Sequence, residues 1–325
     1  MRRYNRAVNN ILILGGSGFV GRSVCDKLVE RSGGAGGQIV VPSRRPARAK
    51  HVQLLPTVRV VQADVHSTAD LQRLVRGSDA VINLVAVLHG SEAEFKRVHV
   101  DLPQKLAEAC RAAGVRRVVH VSALGVGDNG PSRYLRSKAA GEAALKAANL
   151  DLTILRPSVI FGEHDQFTNL FATLQAVAPF VPLACAQARF QTVWVQDVAA
   201  AIVRCLDAPA SIGQTFECAG PEVLTLKQIV EQVGRWSGHE RSVFGLPDAA
   251  ARAQALLMEM APGTPLMSRD NLDSMRVPNV ASGQLPGLAA LGITASPMVS
   301  VVPGYLSAGR GLARLDGWRA KARRS

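Results

Sequence analysis

Hydrophobic positions in the first half of the chain alternate between short aliphatic runs and longer stretches with a helical period. The runs predict buried strands, and apolar residues spaced three or four apart predict amphipathic helices. The predicted strands are residues 11–14, 38–42, 58–62, 80–85, 116–121 and 152–156, and the predicted helices are residues 18–31, 68–76, 93–113 and 134–148. Strands that alternate with helices form right-handed βαβ units, so this pattern predicts a parallel sheet with helices on both faces.

The second half of the chain has a less regular pattern. It predicts strands at residues 192–195 and 215–218, and helices at residues 197–206, 225–236 and 248–261. We expect these elements to form a small α/β cap that is interleaved with the sheet. The predicted domains are a core over residues 1–165 and a substrate or cap region with a basic tail over residues 166–325.

Three glycines follow the first predicted strand directly and lead into the first predicted helix. Gly15 permits a tight turn, Gly18 lets the backbone approach a pyrophosphate, and Gly21 lets the helix pack closely on the strand. The free N–H groups of the helix N-terminus would then bind the diphosphate. The predicted cofactor contacts in this turn are Gly15, Ser17, Gly18, Phe19, Val20 and Gly21. The predicted fold class is therefore α/β, a Rossmann-type doubly wound parallel sheet with a small C-terminal cap.

The second predicted strand ends without the acidic residue that binds the ribose 2′-hydroxyl in NAD enzymes. Ser43, Arg44 and Arg45 stand there instead. Guanidinium groups match phosphate geometry, so these residues favour NADP(H), while NAD(H) stays open. In the alternative interpretation, one arginine only belongs to the basic run that continues to Arg48 and Lys50.

Tyr134 and Lys138 lie four residues apart in a predicted helix and therefore share one face. An ammonium group beside a phenol favours the phenolate, so we expect Lys138 to lower the pKa of the Tyr134 phenol. Such a phenol can act as general acid or base toward a substrate hydroxyl or carbonyl, and Lys138 can bind the nicotinamide ribose. Ser122, which ends the preceding predicted strand, is a candidate hydrogen-bond donor to the substrate.

With these motifs the chain resembles the short-chain dehydrogenase/reductase superfamily, in its extended and atypical branch. The supporting segments are residues 15–21, 63–65, 83–86, 121–123, 134 with 138, 155–162 and 195–199. Residues 132–142 are more closely similar to the dehydrogenase-like accessory subunit of mitochondrial respiratory complex I and its bacterial relatives. The resemblance covers about residues 10–240.

The resemblance implies roles for residues that follow the later strands. It implies that Asp64 and Val65 contact the adenine ring and that Pro157 and Ser158 pack on the nicotinamide end. The residues that it places along the adenine ribose and diphosphate are Asn83, Leu84, Val85 and Ala86. Tyr134 and Lys138 match the catalytic pair. Asp64 could instead be a solvated acid in a turn, Asn83 could be a strand-end amide satisfied by the protein, and the catalytic pair could be a cofactor-binding remnant.

The chain departs from the superfamily after the fifth strand, where active extended members often carry a second Ser or Thr. Ser122 is followed by Ala123, and Ser132 is a weaker substitute. An incomplete triad leaves two functions open. One is an NADP(H)-dependent oxidoreductase or epimerase/dehydratase-type enzyme on an apolar, quinone-like or isoprenoid substrate, which the uncharged stretch 166–188 favours. The other is a non-catalytic NADPH-binding module of a membrane-associated respiratory or quinone-related complex.

Part of the net charge of +13 lies at the two ends of the chain. The terminal basic residues are Arg2, Arg3, Arg6, Arg310, Arg314, Arg319, Lys321, Arg323 and Arg324. Such ends suit an anionic membrane surface or an acidic partner in a respiratory complex, although solvated tails are the alternative. Nucleic acid is not expected, because aromatic residues are only 5% and no nucleic-acid motif is present.

Five widely spaced cysteines without a C-x-x-C pair predict reduced, mostly buried thiols. The seven histidines have no spacing typical of a metal site. The sequence resembles neither a signal peptide nor a transmembrane helix, so the expected location is cytoplasmic or peripheral at the inner face of the membrane.

Overall fold

The computed structural model of the chain describes residues 8–260, 263 and 265–307. Its strands are β1 (Asn10–Leu14), β2 (Gln38–Ser43), β3 (Val58–Gln62), β4 (Ala80–Asn83), β5 (Arg117–Val121), β6 (Asp151–Pro157), β7 (Ile160–Phe161), β8 (Phe180–Leu183), β9 (Arg189–Phe190), β10 (Val193–Trp194), β11 (Thr215–Cys218), β12 (Leu224–Thr225) and β13 (Ser242–Gly245).

The helices follow the same chain order. They are α1 (Phe19–Arg31), α2 (Lys50–Gln53), α3 (Thr68–Val75), α4 (Glu92–Lys96), α5 (Leu102–Ala113), α6 (Arg133–Lys146), α7 (Thr168–Val177), α8 (Val195–Asp207), α9 (Leu226–Ser237), α10 (Asp248–Met260), α11 (Arg269–Ser274), α12 (Met298–Val301) and α13 (Pro303–Leu306). A π-helical turn, Arg97–Asp101, joins α4 directly to α5.

Seven strands form one parallel sheet in the order β11–β6–β5–β4–β1–β2–β3. Ile11 of β1 lies opposite Ile39 of β2 on one side and Ala80 of β4 on the other. The strand order reverses between β1 and β4, which is the topological switch point of a doubly wound sheet. This arrangement confirms the predicted fold class, and ligands of such sheets bind outside the carboxyl ends of the strands at this point.

The contacts within the chain group its described residues into two compact units, each made of more than one segment. The first unit contains the described residues up to Pro157, together with Gln196–Cys218 and Ser282–Ile293. The second contains Ser158–Val195, Ala219–Ala281 and the described residues from Thr294 onward. The chain returns to the first unit because β11 pairs with β6 and completes the sheet.

Each unit has its own apolar core. In the first unit, α3, α5 and α6 pack on the sheet through Leu71, Leu106 and Leu145, against strand residues such as Leu12 and Val118. The core residues of the second unit include Phe161, Phe171, Val181, Leu183, Phe190, Ile229, Val233 and Val302. The uncharged stretch 166–188 therefore contributes much of its apolar surface to the core of the second unit.

Most predicted elements of the first half form within a residue or two of their expected bounds. The strand predicted for residues 80–85 ends earlier, at Asn83, because the Asn83 side chain accepts a hydrogen bond from the Val85 N–H and turns the chain. The strand predicted for residues 192–195 contains only Val193 and Trp194, since helix α8 begins at Val195.

Four of the five cysteines are buried, Cys185 is half-buried, and all five are free thiols. Burial raises the pKa of Cys25 and of Cys110 to about 12, so these thiols stay protonated at neutral pH. Across the described ranges, no helix is both long enough and apolar enough to span a bilayer. The basic residues at 2, 3 and 6 and those from 310 onward lie outside the described residues.

Candidate nucleotide-binding and catalytic site

The glycine turn after β1 has the geometry that a dinucleotide-binding turn requires. Gly15 has φ +84°, a left-handed conformation that favours glycine. A Cβ at Gly21 would collide with the carbonyl oxygen of Gly15, so only glycine allows α1 to begin so close to the turn. A Cβ at Gly18 would meet only the Gly15 carbonyl oxygen, at 3.2 Å, and its other sides are open.

The N-terminus of α1 offers unused hydrogen-bond donors. Gly18 is its N-cap residue and supplies no side-chain cap, and the first turn contains no acidic residue. The first N–H groups of a helix have no partner within the helix, and together with the helix dipole they attract an anion. Phe19, Val20 and Gly21 form this first turn, while the Ser17 carbonyl contacts the His51 ring nitrogen at 3.2 Å. The turn therefore fits the diphosphate of NAD(P).

The end of β2 places two arginines beside the glycine turn. The Ser43 hydroxyl accepts a hydrogen bond from the Arg45 N–H at 3.2 Å, which fixes the backbone of this turn. The Arg44 and Arg45 side chains are exposed, and among the described residues no acidic group pairs with either. Both guanidinium groups are thus available to an anionic ligand.

A basic cluster that the sequence analysis did not identify extends this edge. Lys105 of α5 donates a hydrogen bond to the carbonyl oxygen of His66 at 2.8 Å. Burial lowers the pKa of His66, and the charges of Arg97, Arg44 and Lys105 lower it further, against the opposite effect of Asp64. The cations come from three separate segments, which is why no local pattern in the sequence marks them.

Asp64 and Val65 follow β3, at the edge where the adenine ring was expected. The Asp64 carboxylate accepts a hydrogen bond from the His66 N–H at 3.0 Å, and the backbone N–H of Asp64 donates to the Asp70 carboxylate at 2.9 Å. Asp64 therefore stabilises a turn, and Val65 packs partly against the core. Their contact with adenine stays a prediction.

The loop after β4 lies against the glycine turn. A Cβ at Gly15 would lie 3.2 Å from the carbonyl carbon of Leu84 and 3.3 Å from the nitrogen of Val85. The buried Asn83 amide accepts from the Val85 N–H and contacts the Nδ1 atom of His120, each at 3.2 Å. The Asn83 side chain is thus satisfied by the protein, and the loop backbone through Ala86 is what can face a nucleotide.

Helix α6 brings Tyr134 and Lys138 to the same edge of the sheet, but the electrostatics differ from the expectation. Burial raises the pKa of Tyr134 to about 12, rather than the neighbouring lysine lowering it. The buried Lys138 ammonium donates a hydrogen bond to the Val121 carbonyl at 2.8 Å, and burial lowers its pKa to about 8. The prediction that Lys138 lowers the pKa of Tyr134 is therefore wrong, because desolvation disfavours the charged form of both groups.

Ser122 is buried at the end of β5, and its hydroxyl lies near the Glu142 carboxylate, whose pKa it helps to lower. It forms no well-made hydrogen bond with that carboxylate or with any other described residue. Buried polar groups without a partner are rare, which makes Ser122 the clearest candidate donor to a ligand. Ser132, the weaker substitute, caps α6 by accepting from the Leu135 N–H at 3.1 Å.

Pro157 and Ser158 fall at the boundary between the two units. The Pro157 carbonyl accepts from the Leu124 N–H at 2.9 Å, which ties the loop after β5 to the end of β6. The Ser158 hydroxyl is used within the second unit, where it donates to the Asn279 side chain at 2.6 Å. Their packing on the nicotinamide end stays a prediction.

Comparison with known proteins agrees with this geometry. The model of a family described as NAD(P)H-binding matches residues 15–209. NADH dehydrogenase (ubiquinone) 1 alpha subcomplex subunit 9, mitochondrial, of Mus musculus is 31% identical over 297 residues, which cover 88% of this chain and 76% of the mouse protein. Ceramide reductase of Caulobacter vibrioides is 32% identical over 250 residues, 77% of each chain.

Solved structures show the same fold at lower identity. The dTDP-glucose 4,6-dehydratase of Streptomyces venezuelae, crystallised with NAD, superposes with a TM-score of 0.65 at 24% identity, over 74% of this chain and 85% of that chain. At that identity the likeness concerns the fold alone. The family match shows an NAD(P)-binding domain, and the glycine turn and the uncapped start of α1 make the edge of the sheet at β1 and β4 the candidate site for the nucleotide.

Proposed function

Because the chain belongs to the NAD(P)H-binding family and is homologous to subunit 9 of the mitochondrial NADH dehydrogenase alpha subcomplex, we propose that it binds NADPH and reduces the carbonyl group of an apolar substrate. The observation that carries the proposal is the juxtaposition of Tyr134, Lys138 and the Ser122 hydroxyl, which has no well-made hydrogen bond to a described residue, at one edge of the sheet. Arg44 and Arg45 support NADPH over NADH, since no described acidic group neutralises them.

The chemistry divides between cofactor and protein. Bound NADPH would supply a hydride to the carbonyl carbon. Tyr134, with its pKa raised to about 12, is protonated at neutral pH and can donate its proton to the carbonyl oxygen. Lys138, on the same face of α6, would stabilise the resulting tyrosinate, and the Ser122 hydroxyl would hold the carbonyl oxygen in place. The substrate carbonyl thereby becomes an alcohol.

The apolar character of the substrate is supported by the names of the relatives rather than by a pocket of this chain. One relative is named a ceramide reductase and another a subunit of a ubiquinone-reducing enzyme. Ceramide and ubiquinone are both apolar, so a long-chain ketone or a quinone-like carbonyl compound is the substrate class we propose.

A non-catalytic role is the second candidate. In that role the protein would hold NADPH as a structural ligand and dock on a membrane-associated respiratory complex. The observation that favours it is the Lys138 ammonium, which is already engaged by the Val121 carbonyl, together with the homology to subunit 9. The basic ends of the chain would then contact an acidic partner or an anionic membrane surface.

The test starts with the purified protein. Bound nucleotide is identified after denaturation, and NADPH and NADH are titrated by nicotinamide fluorescence. NADPH consumption is then followed with a long-chain 3-ketolipid and a short-tailed ubiquinone analogue. Tyr134→Phe should bind NADPH with unchanged affinity and lose at least about 100-fold in turnover, since it removes the general acid. Arg136→Lys, an exposed neighbour on α6, is the control.

The outcomes separate the two candidates. Turnover that depends on Tyr134 supports the reductase. Tight NADPH that co-purifies and is never consumed supports the structural module. Turnover that Tyr134→Phe leaves unchanged overturns the proposed mechanism, and preference for NADH overturns the reading of Arg44 and Arg45.

A further inference from the structure

His99 lies in the π-helical turn between α4 and α5 and connects two parts of the candidate site. Its Nε2 atom accepts a hydrogen bond from the Val87 N–H at 3.1 Å, and its Nδ1 atom lies 2.8 Å from the Ser137 hydroxyl oxygen. The Ser137 hydroxyl in turn donates to the Tyr134 carbonyl at 2.8 Å. Turns of this kind occur often at functional sites.

The directions of these bonds fix the tautomer of His99. A backbone N–H can only donate, so Nε2 must carry the lone pair that accepts from Val87. The ring proton is therefore on Nδ1, and it donates to the Ser137 oxygen, whose own proton goes to the Tyr134 carbonyl. A second ring proton would place two N–H groups against each other at Val87.

The groups around His99 also keep its ring neutral. Burial lowers the pKa of His99 to about 3, and the charge of Lys138 on α6 acts in the same direction. His120 on β5 is itself neutral at working pH, because burial lowers its pKa to about 3. Two aromatic rings also pack on His99, Phe95 stacked at 5.6 Å and Tyr134 edge-on at 5.4 Å between centroids.

The backbone at His99 is as tightly held as the ring. The His99 carbonyl points at Gly141 of α6, where a Cβ would collide with it. Any larger residue at position 141 would push α6 away from the π-helical turn. His99 is only 2% exposed and thus has no freedom to adopt a second arrangement without moving α6 or the loop after β4.

The loop held by His99 is the one that lies against the glycine turn. Its Val85 N–H is held by Asn83, its Leu84 N–H by the Leu14 carbonyl at 2.9 Å, and its Val87 N–H by His99. The His99 bond is the only one of these three that leads to the helix of Tyr134.

We propose that His99 is a positioning residue that, as the neutral Nδ1–H tautomer, sets the distance between the nucleotide-contacting loop after β4 and the Tyr134 helix. The inference rests on the proposed NADPH function, because it assigns His99 a role in binding and in turnover at that site. In this role His99 acts on the loop through Val87 and on the Tyr134 helix through Ser137.

The test combines a spectroscopic signature with binding. In protein labelled with ¹⁵N-histidine, long-range correlation spectra should show one ring as a neutral Nδ1–H tautomer that does not titrate between pH 5 and 8, and His99→Phe should remove that signal. His99→Phe keeps a ring beside Phe95 and Tyr134 but leaves the Val87 N–H without an acceptor. We expect it to weaken NADPH binding about tenfold.

Three further variants make the test specific. His99→Gln retains an acceptor and a donor and should recover most of the NADPH affinity, although it lacks the ring. Ser137→Ala should weaken binding, and its effect should not add to that of His99→Phe. His239→Phe, at an exposed histidine of the second unit, should leave the affinity unchanged.

The results distinguish this inference from the proposed function. If the wild type binds NADPH and folded His99→Phe binds it equally well, the role of His99 is refuted and the proposed function stands. If His99→Phe does not fold, two other results refute the role of His99. One is a wild-type His99 ring that titrates or carries its proton on Nε2. The other is an NADPH affinity of His99→Gln that is as poor as that of Ser137→Ala. If the wild type does not bind NADPH at all, the proposed function itself fails.

Discussion

The Glu142 carboxylate accepts two hydrogen bonds from the Arg156 guanidinium, at 2.8 and 2.6 Å. This pair joins α6, the helix of Tyr134 and Lys138, to β6 of the sheet. Burial by itself raises the pKa of Glu142, but the bonds and charge of Arg156 hold it below its ordinary value, with smaller contributions from the nearby Ser122 hydroxyl and from Lys146. The ion pair therefore fixes the helix that carries Tyr134 and Lys138. The negative charge of Glu142 also raises the pKa of Lys138, against the larger lowering by burial.

We expect Glu142→Gln to lower the free energy of unfolding by about 3–5 kcal/mol, since it leaves the Arg156 guanidinium partly buried without its counter-charge. Urea denaturation at pH 7 measures the loss. Glu231→Gln, which removes an exposed pair with Lys227 at 3.7 Å, should change stability by less than about 0.5 kcal/mol. Equal effects of the two substitutions would contradict the prediction.

The same pair has a defined pH dependence. The pKa of Glu142 is lower in the folded protein than its ordinary 4.5, so its stabilisation is fully present above pH 4.5 and is lost as the pH falls through the lower, folded value. The difference in unfolding free energy between wild type and Glu142→Gln should therefore shrink on acidification below pH 4.5. A difference that grows on acidification would show that the carboxylate is not the stabilising form.

Lys138 should give a pH dependence of the same direction at alkaline pH, because its pKa is also lowered in the folded protein. Its pKa falls from 10.5 to about 8 in the folded protein, so between these values the unfolded chain binds more protons and stability rises with pH. Because other groups also titrate there, the measured quantity is the stability of the wild type minus that of Lys138→Met. We expect this difference to rise by up to about 3 kcal/mol. If the difference in stability between wild type and Lys138→Met does not change with pH, the Lys138 ammonium is solvated in the folded protein.

Substitution of Gly21 tests the glycine turn. A Cβ at Gly21 would collide with the Gly15 carbonyl oxygen, so Gly21→Ala should displace α1, destabilise the protein and reduce NADPH affinity more than about tenfold. Gly127→Ala is the matched control, because a Cβ there meets no atom within 4 Å. Isothermal titration measures the NADPH affinity of the two variants, and thermal melts measure their stability. Normal NADPH binding by Gly21→Ala would exclude this turn as the diphosphate site.

The two arginines after β2 should determine cofactor choice. The double substitution of Arg44 and Arg45 by alanine should weaken NADPH binding by about 10- to 100-fold and leave NADH binding nearly unchanged, since only NADPH carries the 2′-phosphate. Arg48→Ala, in the same basic run, serves as the control for a general loss of positive charge. Parallel loss of both nucleotides in the double variant would argue against a 2′-phosphate contact.

Local patterns were sufficient for the turn and the helices. The glycine spacing after β1 predicts its own geometry because the residues that collide, Gly15 and Gly21, are only six positions apart. The four-residue spacing of Tyr134 and Lys138 likewise determines that they share a face of α6. The capped helix predicted at residues 225–236 forms as expected, since Thr225 and Gln228 make a capping box within one turn.

The ionisation of the site was not predictable in this way. The sequence suggested that Lys138 would lower the pKa of Tyr134, whereas burial dominates for both. Burial depends on how α6 packs on the π-helical turn and on β5, which no spacing within α6 encodes. The Glu142–Arg156 pair was missed for a related reason, because its partners are 14 residues apart on different elements.

The sequence by itself therefore determined the class of the fold, the geometry of the glycine turn and the identity of the residues at the edge of the sheet, because these follow from contacts between near neighbours in the chain. Only the tertiary structure decided what those residues are free to do. It engaged Asn83 and Asp64 within the protein, left the Ser122 hydroxyl without a well-made hydrogen bond to any described residue, and linked Val87 to the Tyr134 helix through His99. Hydrogen bonding and desolvation depend on residues from distant segments, and only the packed chain brings those segments together.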